Sequence, residues 1–274
     1  MPITSNHIVA VIPTYNNAGT IADVVRRVAQ QMEHIIVVAD GPTDNTLEVL
    51  SRTGIAMTVV AYSKNRGKGY ALRRGFEKAR EMGFTHVLTI DSDGQHYPED
   101  IPQLYRMHAI HPDAIIIGSR GLVQDNMPQK NTFANKFSNF WFAIQTGVRL
   151  PDTQTGYRIY PLRHLHGEWL MTRRYEAELA LLVFSAWANV DIWPVPVRVY
   201  YPPKEERVSH FRPAYDFTRI SILNTLLCVL AICYGLPRKW LWSFAYYLTF
   251  FFMVVLVIQP TFVYLRLRYG DSEK

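Results

Sequence analysis

Cysteine is nearly absent: Cys228 and Cys233 are the only two in 274 residues. Both sit inside an apolar run without His, Asp or Glu beside them, so neither a disulfide framework nor a cysteine-based metal site is expected. The N-terminal stretch MPITSNHIVAVIPTYNN lacks a basic segment followed by a long apolar one. It does not read as a secretory signal, and the front of the chain is expected to stay in the cytoplasm. There is no internal repeat and no low-complexity segment. No regular interleaving of basic and aromatic residues is present either, so a nucleic-acid interface is not expected. The net charge of +6 is modest and suits an anionic substrate or an anionic membrane surface. After the first apolar strand there is no G-x-G-x-x-G, which argues against a dinucleotide site. Nor is there a Gly-rich, Arg/Lys-bearing loop of the nucleotidyltransferase kind; the place holds PTYNN.

What is there is alternation. Apolar segments at 7–13, 34–40, 56–62, 85–91 and 113–120 read as strands. Segments at 20–31, 43–54, 69–83 and 98–108 read as helices, two of them closed by glycine. Further helices are expected over 131–147 and around 175–188, and a Pro-punctuated edge strand over 191–202. Continuous apolar strands alternating with helices predict an α/β fold, a mostly parallel sheet covered on both faces. Ligands of such sheets bind at the carboxyl ends of the strands. Asp40, Asp91 and Arg120 all stand there.

The segment LTIDSDGQHYPED (88–100) ends a strand abruptly with two carboxylates. Asp91 and Asp93, two apart across a turn, are able to approach one hard cation, and Gln95 can add an amide oxygen. Oxygen donors with open water positions suit Mg²⁺ or Mn²⁺, which bridge protein carboxylates and substrate phosphates. A capped, solvated turn is the alternative for an isolated D-x-D. His96 is expected to be an exposed polar residue rather than a ligand.

The D-x-D is not isolated. VIPTYNNAGTI, VVADGPTDNT and KNRGKGYALRRGFEKA precede it, and IIIGSR follows. With LTIDSDGQHYPEDIPQL, these segments resemble the family 2 inverting glycosyltransferases of GT-A fold. The likeness runs over about residues 7–210 and is closest to the dolichyl-phosphate mannose synthase and polyprenyl-phosphate glycosyltransferase branch. The resemblance implies a nucleotide-diphosphate sugar donor, UDP- or GDP-linked, a lipid acceptor and a membrane. Pro13, Tyr15 and Asn17 would line the nucleoside pocket, and Asp40 would bond the base or ribose. Asn17 stands where the family often has Glu, and Ala39 where it commonly has a first acid. Lys68 would lie near the nucleotide; a solvated helix-start lysine is the alternative. Asp91 and Asp93 would flank the diphosphate, with Ser92 on the donor side. The metal would be held chiefly by Asp93, helped by Asp91 and Gln95. Arg120 would grip phosphate oxygens bidentately, with a surface ion pair as the alternative. DTQTGYRIY (152–160) resembles the acceptor-side segment, with Asp152 and Arg158 as its polar members. Glu176 and Glu178 match the family's acidic helix start, although favourable charge at a helix N-terminus explains them equally. In RVSHFRP, Ser209 and His210 match a lipid-phosphate site, with Arg207 and Arg212 nearby. His210 replaces the family's lysine, and a basic juxtamembrane patch is the alternative.

The implied reaction is inverting transfer to a lipid acceptor, most simply a polyprenyl phosphate, which needs no strong base. A hydroxyl-bearing lipid or glycan would need one, and Asp152 and Glu178 are then the candidates. The departures at Asn17, Ala39 and His210 keep open a non-catalytic nucleotide-sugar-binding membrane protein.

The glycosyltransferase domain is expected over 1–215 and a membrane-associated segment over 216–274. The run 241–264 carries no charge and exceeds the roughly 20 residues needed to span a bilayer. The run 220–236 is shorter and fits either a span or the interface. A buried core hairpin is the alternative for the pair.

Overall fold

The computed structural model describes residues 3, 7–120, 129–165, 172, 174, 176–200 and 213–235. The strands β1 (Ile8–Thr14), β2 (Ile35–Asp40), β3 (Thr58–Tyr62), β4 (His86–Thr89), β5 (Ile115–Arg120), β6 (Arg158–Pro161) and β7 (Ile192–Val197) form one sheet. Their order is β3-β2-β1-β4-β6-β5-β7. The helices are α1 (Ile21–Ala29), α2 (Thr46–Ser51), α3 (Lys68–Glu81), α4 (Ile101–Ile110), α5 (Gln129–Thr146), α6 (Glu176–Trp187) and α7 (Pro213–Leu230).

Strands β1, β2 and β5 are buried on both faces, and they are apolar at nearly every position. Successive side chains of a strand point to opposite faces. In β1, Val9 and Val11 join the core beneath α3, α5 and α6, whereas Ile8, Ala10 and Ile12 join the core beneath α1 and α4. β2 divides in the same way between Ile36 and Val38 on one side and Ile35 and Val37 on the other. Helix α3 lies so close to the sheet that a side chain at Gly75 would run into Val11.

One strand was not legible beforehand. β6 is four residues long, begins with an arginine and runs antiparallel between β4 and β5, pairing Arg158 with both Thr89 and Ile117. RIYP has no period of its own; its two neighbours define it. Because it runs against them, its first residue lies at their carboxyl ends, which delivers the segment 152–157 to that end of the sheet. β7 is an edge strand beside β5, as its prolines suggest.

The division at residue 215 falls inside α7. The 220–236 run forms most of that helix and continues as a π-helical turn, Ala231–Gly235. Leu227 and Ala231 enter the core beside Trp187, and Gln145 donates to Asn224 Oδ1 at 3.0 Å. Ile222, Leu226, Val229 and Ile232 remain exposed. Among the described residues no helix is long and apolar enough to cross a membrane. The 241–264 run lies outside the described residues.

At the opposite pole of the sheet His7, His86 and His108 cluster, with His86 and His108 ring centroids 4.4 Å apart. Burial, then repulsion from His86 and His7, lowers His108 from its ordinary 6.5 to about 4. Its folded form therefore resists a proton that the unfolded chain accepts. Stability should be intact above pH 6.5 and decline as pH falls toward 4. Urea midpoints measured between pH 7.5 and 4.5 should fall less steeply in His108→Leu than in the parent; equal slopes would contradict this.

Candidate active site

The strand order reverses beside β1: the chain leaves it for β2 and β3 on one side and returns to β4 on the other. Ligands of open α/β sheets bind in the crevice such a reversal creates. Its two lips are joined directly. Asn17 Nδ2 donates to Ser92 Oγ at 2.6 Å, and the Thr20 hydroxyl donates to the Ser92 carbonyl at 2.7 Å. Pro13 is buried in β1, and Tyr15 lies half-buried just beyond it.

Asp40, expected to meet the nucleoside, is 3% exposed and shapes a turn. Its carboxylate accepts the Arg66 and Gly67 N–H groups, each at 2.7 Å, and Asn65 Nδ2 at 3.1 Å. Gly41 (φ 60°) lets the two turns approach, since a side chain there would strike the backbone of Lys64 and Asn65. Gly67, at φ 97°, then starts α3 and places Lys68 in the crevice.

Lys68 sits between two carboxylates, 2.6 Å from Asp91 Oδ1 and 2.9 Å from Glu178 Oε2. Burial disfavours its charge, but the two anions outweigh that and hold the ammonium well above its ordinary range. Burial likewise raises Asp91, yet Lys68, with His96 and Arg158, keeps it below the usual carboxylate range. Among the described residues Asp93 has no ion-pair partner. Burial and the neighbouring Asp91 push it up to about 6, against a 3.0 Å bond from the Gln95 N–H and the more distant charge of Lys68.

A divalent cation would relieve that imbalance. Among the described residues no three His, Cys, Asp or Glu side chains converge on a metal position. Carboxylate oxygens suit Mg²⁺ or Mn²⁺, ions that retain waters and take phosphate oxygens. With one Asp91 oxygen on Lys68, the residues fit a cation held chiefly by Asp93.

The acceptor-side residues are tied inward. Arg120 donates to Asp152 through Nε (2.6 Å) and a terminal nitrogen (2.9 Å), and its backbone N–H reaches the same carboxylate. Asp152 is fully buried; burial raises it, but Arg120 holds it below the usual carboxylate range. Arg158 is also fully buried and lies beneath the crevice rather than lining it. It donates to the Tyr160 hydroxyl and to the carbonyls of Glu178 and Thr153, each at 2.9 Å, tying β6 to the start of α6. Glu176, beside Glu178 at the start of α6, is buried as well. Arg207, Ser209, His210 and Arg212 lie outside the described residues.

Two residues of the site gave no warning. His96 is 6% exposed, contrary to the expectation of an exposed side chain, and packs on Tyr157 with centroids 5.1 Å apart. Gly156 passes directly over the ion pair. A Cβ there would stand 2.7 Å from Asp91 Oδ2 and 2.8 Å from Lys68 Nζ. The Thr89 hydroxyl holds the Gly156 carbonyl at 2.7 Å. The glycine in QTGYR was visible, but the partners that require it were not.

Gly156→Ala should therefore force the ion pair apart. We expect about 1–3 kcal/mol of lost stability from such overpacking, measured by urea unfolding, whereas Gly54→Ala, facing open space, should lose only what its positive φ costs. Equal losses would show that the Gly156 contact carries no load.

The glycosyl transferase family 2 model matches residues 9–166. The chain is 27% identical over 214 residues to the UDP-N-acetylglucosamine–dolichyl-phosphate N-acetylglucosaminyltransferase of Methanococcus voltae, covering 70% of this chain and 84% of that protein. It is 31% identical over 160 residues to the polyprenol monophosphomannose synthase of Mycolicibacterium smegmatis, covering 55% and 60% respectively. These relatives match the branch that the motifs resemble. Glucosyl-3-phosphoglycerate synthase of Mycobacterium tuberculosis, solved with Mn²⁺, UDP-glucose and phosphoglyceric acid, superposes with a TM-score of 0.59 at 18% identity, over 82% of this chain and 79% of that one. That likeness shows the GT-A-like fold. The family match spans more than half of the chain and includes β1 through β6, the crevice and its D-x-D turn, and the chain is accordingly a glycosyltransferase of family 2.

Proposed function

We propose that the protein transfers a sugar, with inversion, from a nucleoside-diphosphate sugar to a polyprenyl phosphate at a membrane surface, its catalytic domain on the cytoplasmic side. The observation that carries the acceptor is the engagement of both candidate bases. Asp152 is bound bidentately by Arg120, and Glu178 by Lys68. A carboxylate gripped through both oxygens by one guanidinium, as Asp152 is, is a poor proton acceptor, because protonation would strand that cation, while Glu178 is engaged by the ammonium it shares with Asp91. A hydroxyl acceptor needs such a base; a phosphate anion does not. The names of two relatives, a dolichyl-phosphate N-acetylglucosaminyltransferase and a polyprenol monophosphomannose synthase, agree with this reading.

In the reaction, an acceptor phosphate oxygen forms the new bond to the anomeric carbon. The bond from that carbon to the diphosphate breaks on the opposite face, and its electron pair leaves with the nucleoside diphosphate. No proton needs to move. Asp93, with Asp91 and Gln95, would hold Mg²⁺ or Mn²⁺, which supplies charge neutralisation to the departing diphosphate. Solved neighbours of the same fold carry UDP with either ion. Lys68 keeps Asp91 ionised and places a fixed positive charge at the leaving-group end of the crevice. Asn17 and Ser92 hold the lips of the nucleoside pocket at a set width. The exposed apolar residues of α7 and the uncharged 241–264 run supply the attachment to the membrane.

Detergent-purified protein should be given a panel of UDP- and GDP-sugars with Mn²⁺ or Mg²⁺ and either polyprenyl phosphate or the corresponding polyprenol. Sugar should appear on the phosphate and not on the alcohol, and Asp93→Ala should lower turnover by about 100-fold or more, as loss of a ligand to a charge-stabilising cation does. Labelling of the alcohol alone would replace the phosphate acceptor with a hydroxyl one. Donor binding without transfer to either acceptor would favour a binding protein.

A further inference from the structure

Beyond the crevice, one clasp connects the D-x-D turn to the far edge of the sheet. We propose that Asp100 and Arg198 are positioning residues that set the cation affinity of the Asp93–Gln95 turn; this rests on the reading that the turn holds the cation.

The geometry begins where β7 ends, at Val197. The chain continues past the edge of the sheet and lies antiparallel along the segment that follows the D-x-D. His96 bridges Val199, and the Tyr200 N–H donates to the Gln95 carbonyl at 2.8 Å. Gln95 in turn donates its own N–H to Asp93 Oδ1 at 3.0 Å. A chain of two hydrogen bonds therefore runs from the Tyr200 N–H through Gln95 to the Asp93 carboxylate, which has no ion-pair partner among the described residues.

Arg198 fixes the register of that chain. Its backbone N–H reaches Asp100 Oδ2 at 2.7 Å, and its guanidinium reaches Asp100 Oδ1 at 2.9 Å from Nε and 2.6 Å from a terminal nitrogen. Asp100 is 5% exposed, and Arg198 bonds both of its oxygens. The Arg198 guanidinium also lies 5.2 Å from the centre of the Tyr97 ring, and Arg27 lies 5.4 Å from it. The Tyr157 hydroxyl donates to the Tyr97 carbonyl at 3.2 Å, which anchors the same residue from beneath.

Neither Asp100 nor Arg198 is a cation ligand in this arrangement. They act through Gln95, as outer partners of metal ligands do when they fix a ligand's orientation. Residues 198–200 also lead directly into the segment carrying Arg207, Ser209, His210 and Arg212. The clasp thus joins the cation turn to the chain that the family resemblance assigns to the acceptor.

The test is a Mn²⁺ titration followed by electron paramagnetic resonance on the full chain, with UDP and, in parallel, GDP. Arg198→Met should weaken Mn²⁺ binding by about tenfold or more, and Arg198→Lys, which keeps the charge, should recover part of it. Asp100→Asn keeps an acceptor for the Arg198 N–H and should fall between them. Arg52→Met breaks the Glu48 pair on α2, away from residues 97–100 and 198–200, and serves as the control for general loosening; its Mn²⁺ affinity should equal that of the parent. Melting temperatures of all variants confirm that they are folded. Unchanged Mn²⁺ affinity in Arg198→Met, or an equal loss in Arg52→Met, would overturn the proposal. Asp93→Ala separates the two readings: if it binds Mn²⁺ as the parent does, the cation assignment itself is wrong, whatever Arg198 does.

Discussion

The ammonium of Lys68 lies between Asp91 and Glu178, and most of the crevice is arranged around it. The three residues come from the start of α3, the end of β4 and the start of α6, elements far apart in the chain. Removing one member of a buried ion pair leaves an uncompensated charge worth several kcal/mol. The positions of these three elements are therefore constrained together. Two glycines make the contact possible: Gly67 by its positive φ at the start of α3, and Gly156 by leaving no side chain above the pair.

Charge balance around that triple explains why the site suits a divalent cation and a diphosphate. Asp91 and Glu178 share one cation, and Asp152 pairs with Arg120. Asp93 remains, raised by burial and by Asp91. The crevice thus carries excess negative charge at one turn, next to a lysine and an arginine held in fixed places. A cation at that turn and an anionic leaving group beside it complete the balance. The engagement of Asp152 by Arg120 and of Glu178 by Lys68 is what underlies the proposal of an acceptor that arrives already ionised.

Much of this was legible in advance for a physical reason. Strands buried on both faces must be apolar throughout, so β1, β2 and β5 announce themselves without reference to their neighbours. Polar residues that end such strands abruptly must lie at the sheet's carboxyl edge, and Asp40, Asp91 and Arg120 do. What was not legible is whatever depends on a distant partner. The strand identity of RIYP comes from β4 and β5. The burial of His96 comes from Tyr157, and the requirement for glycine at 156 comes from Lys68 and Asp91.

The sequence by itself determined the fold class, the edge of the sheet where the chemistry lies and the family to which the motifs belong. These follow from local pattern, which each segment carries alone. Only the tertiary structure decided how the charged residues divide their work. Arg158 ties β6 to α6, Asp40 holds the turn into α3, and Asp152 orients Arg120. A buried charge goes to whichever opposite charge or hydrogen-bond partner the packed chain brings within reach, and that choice is made by residues tens of positions away.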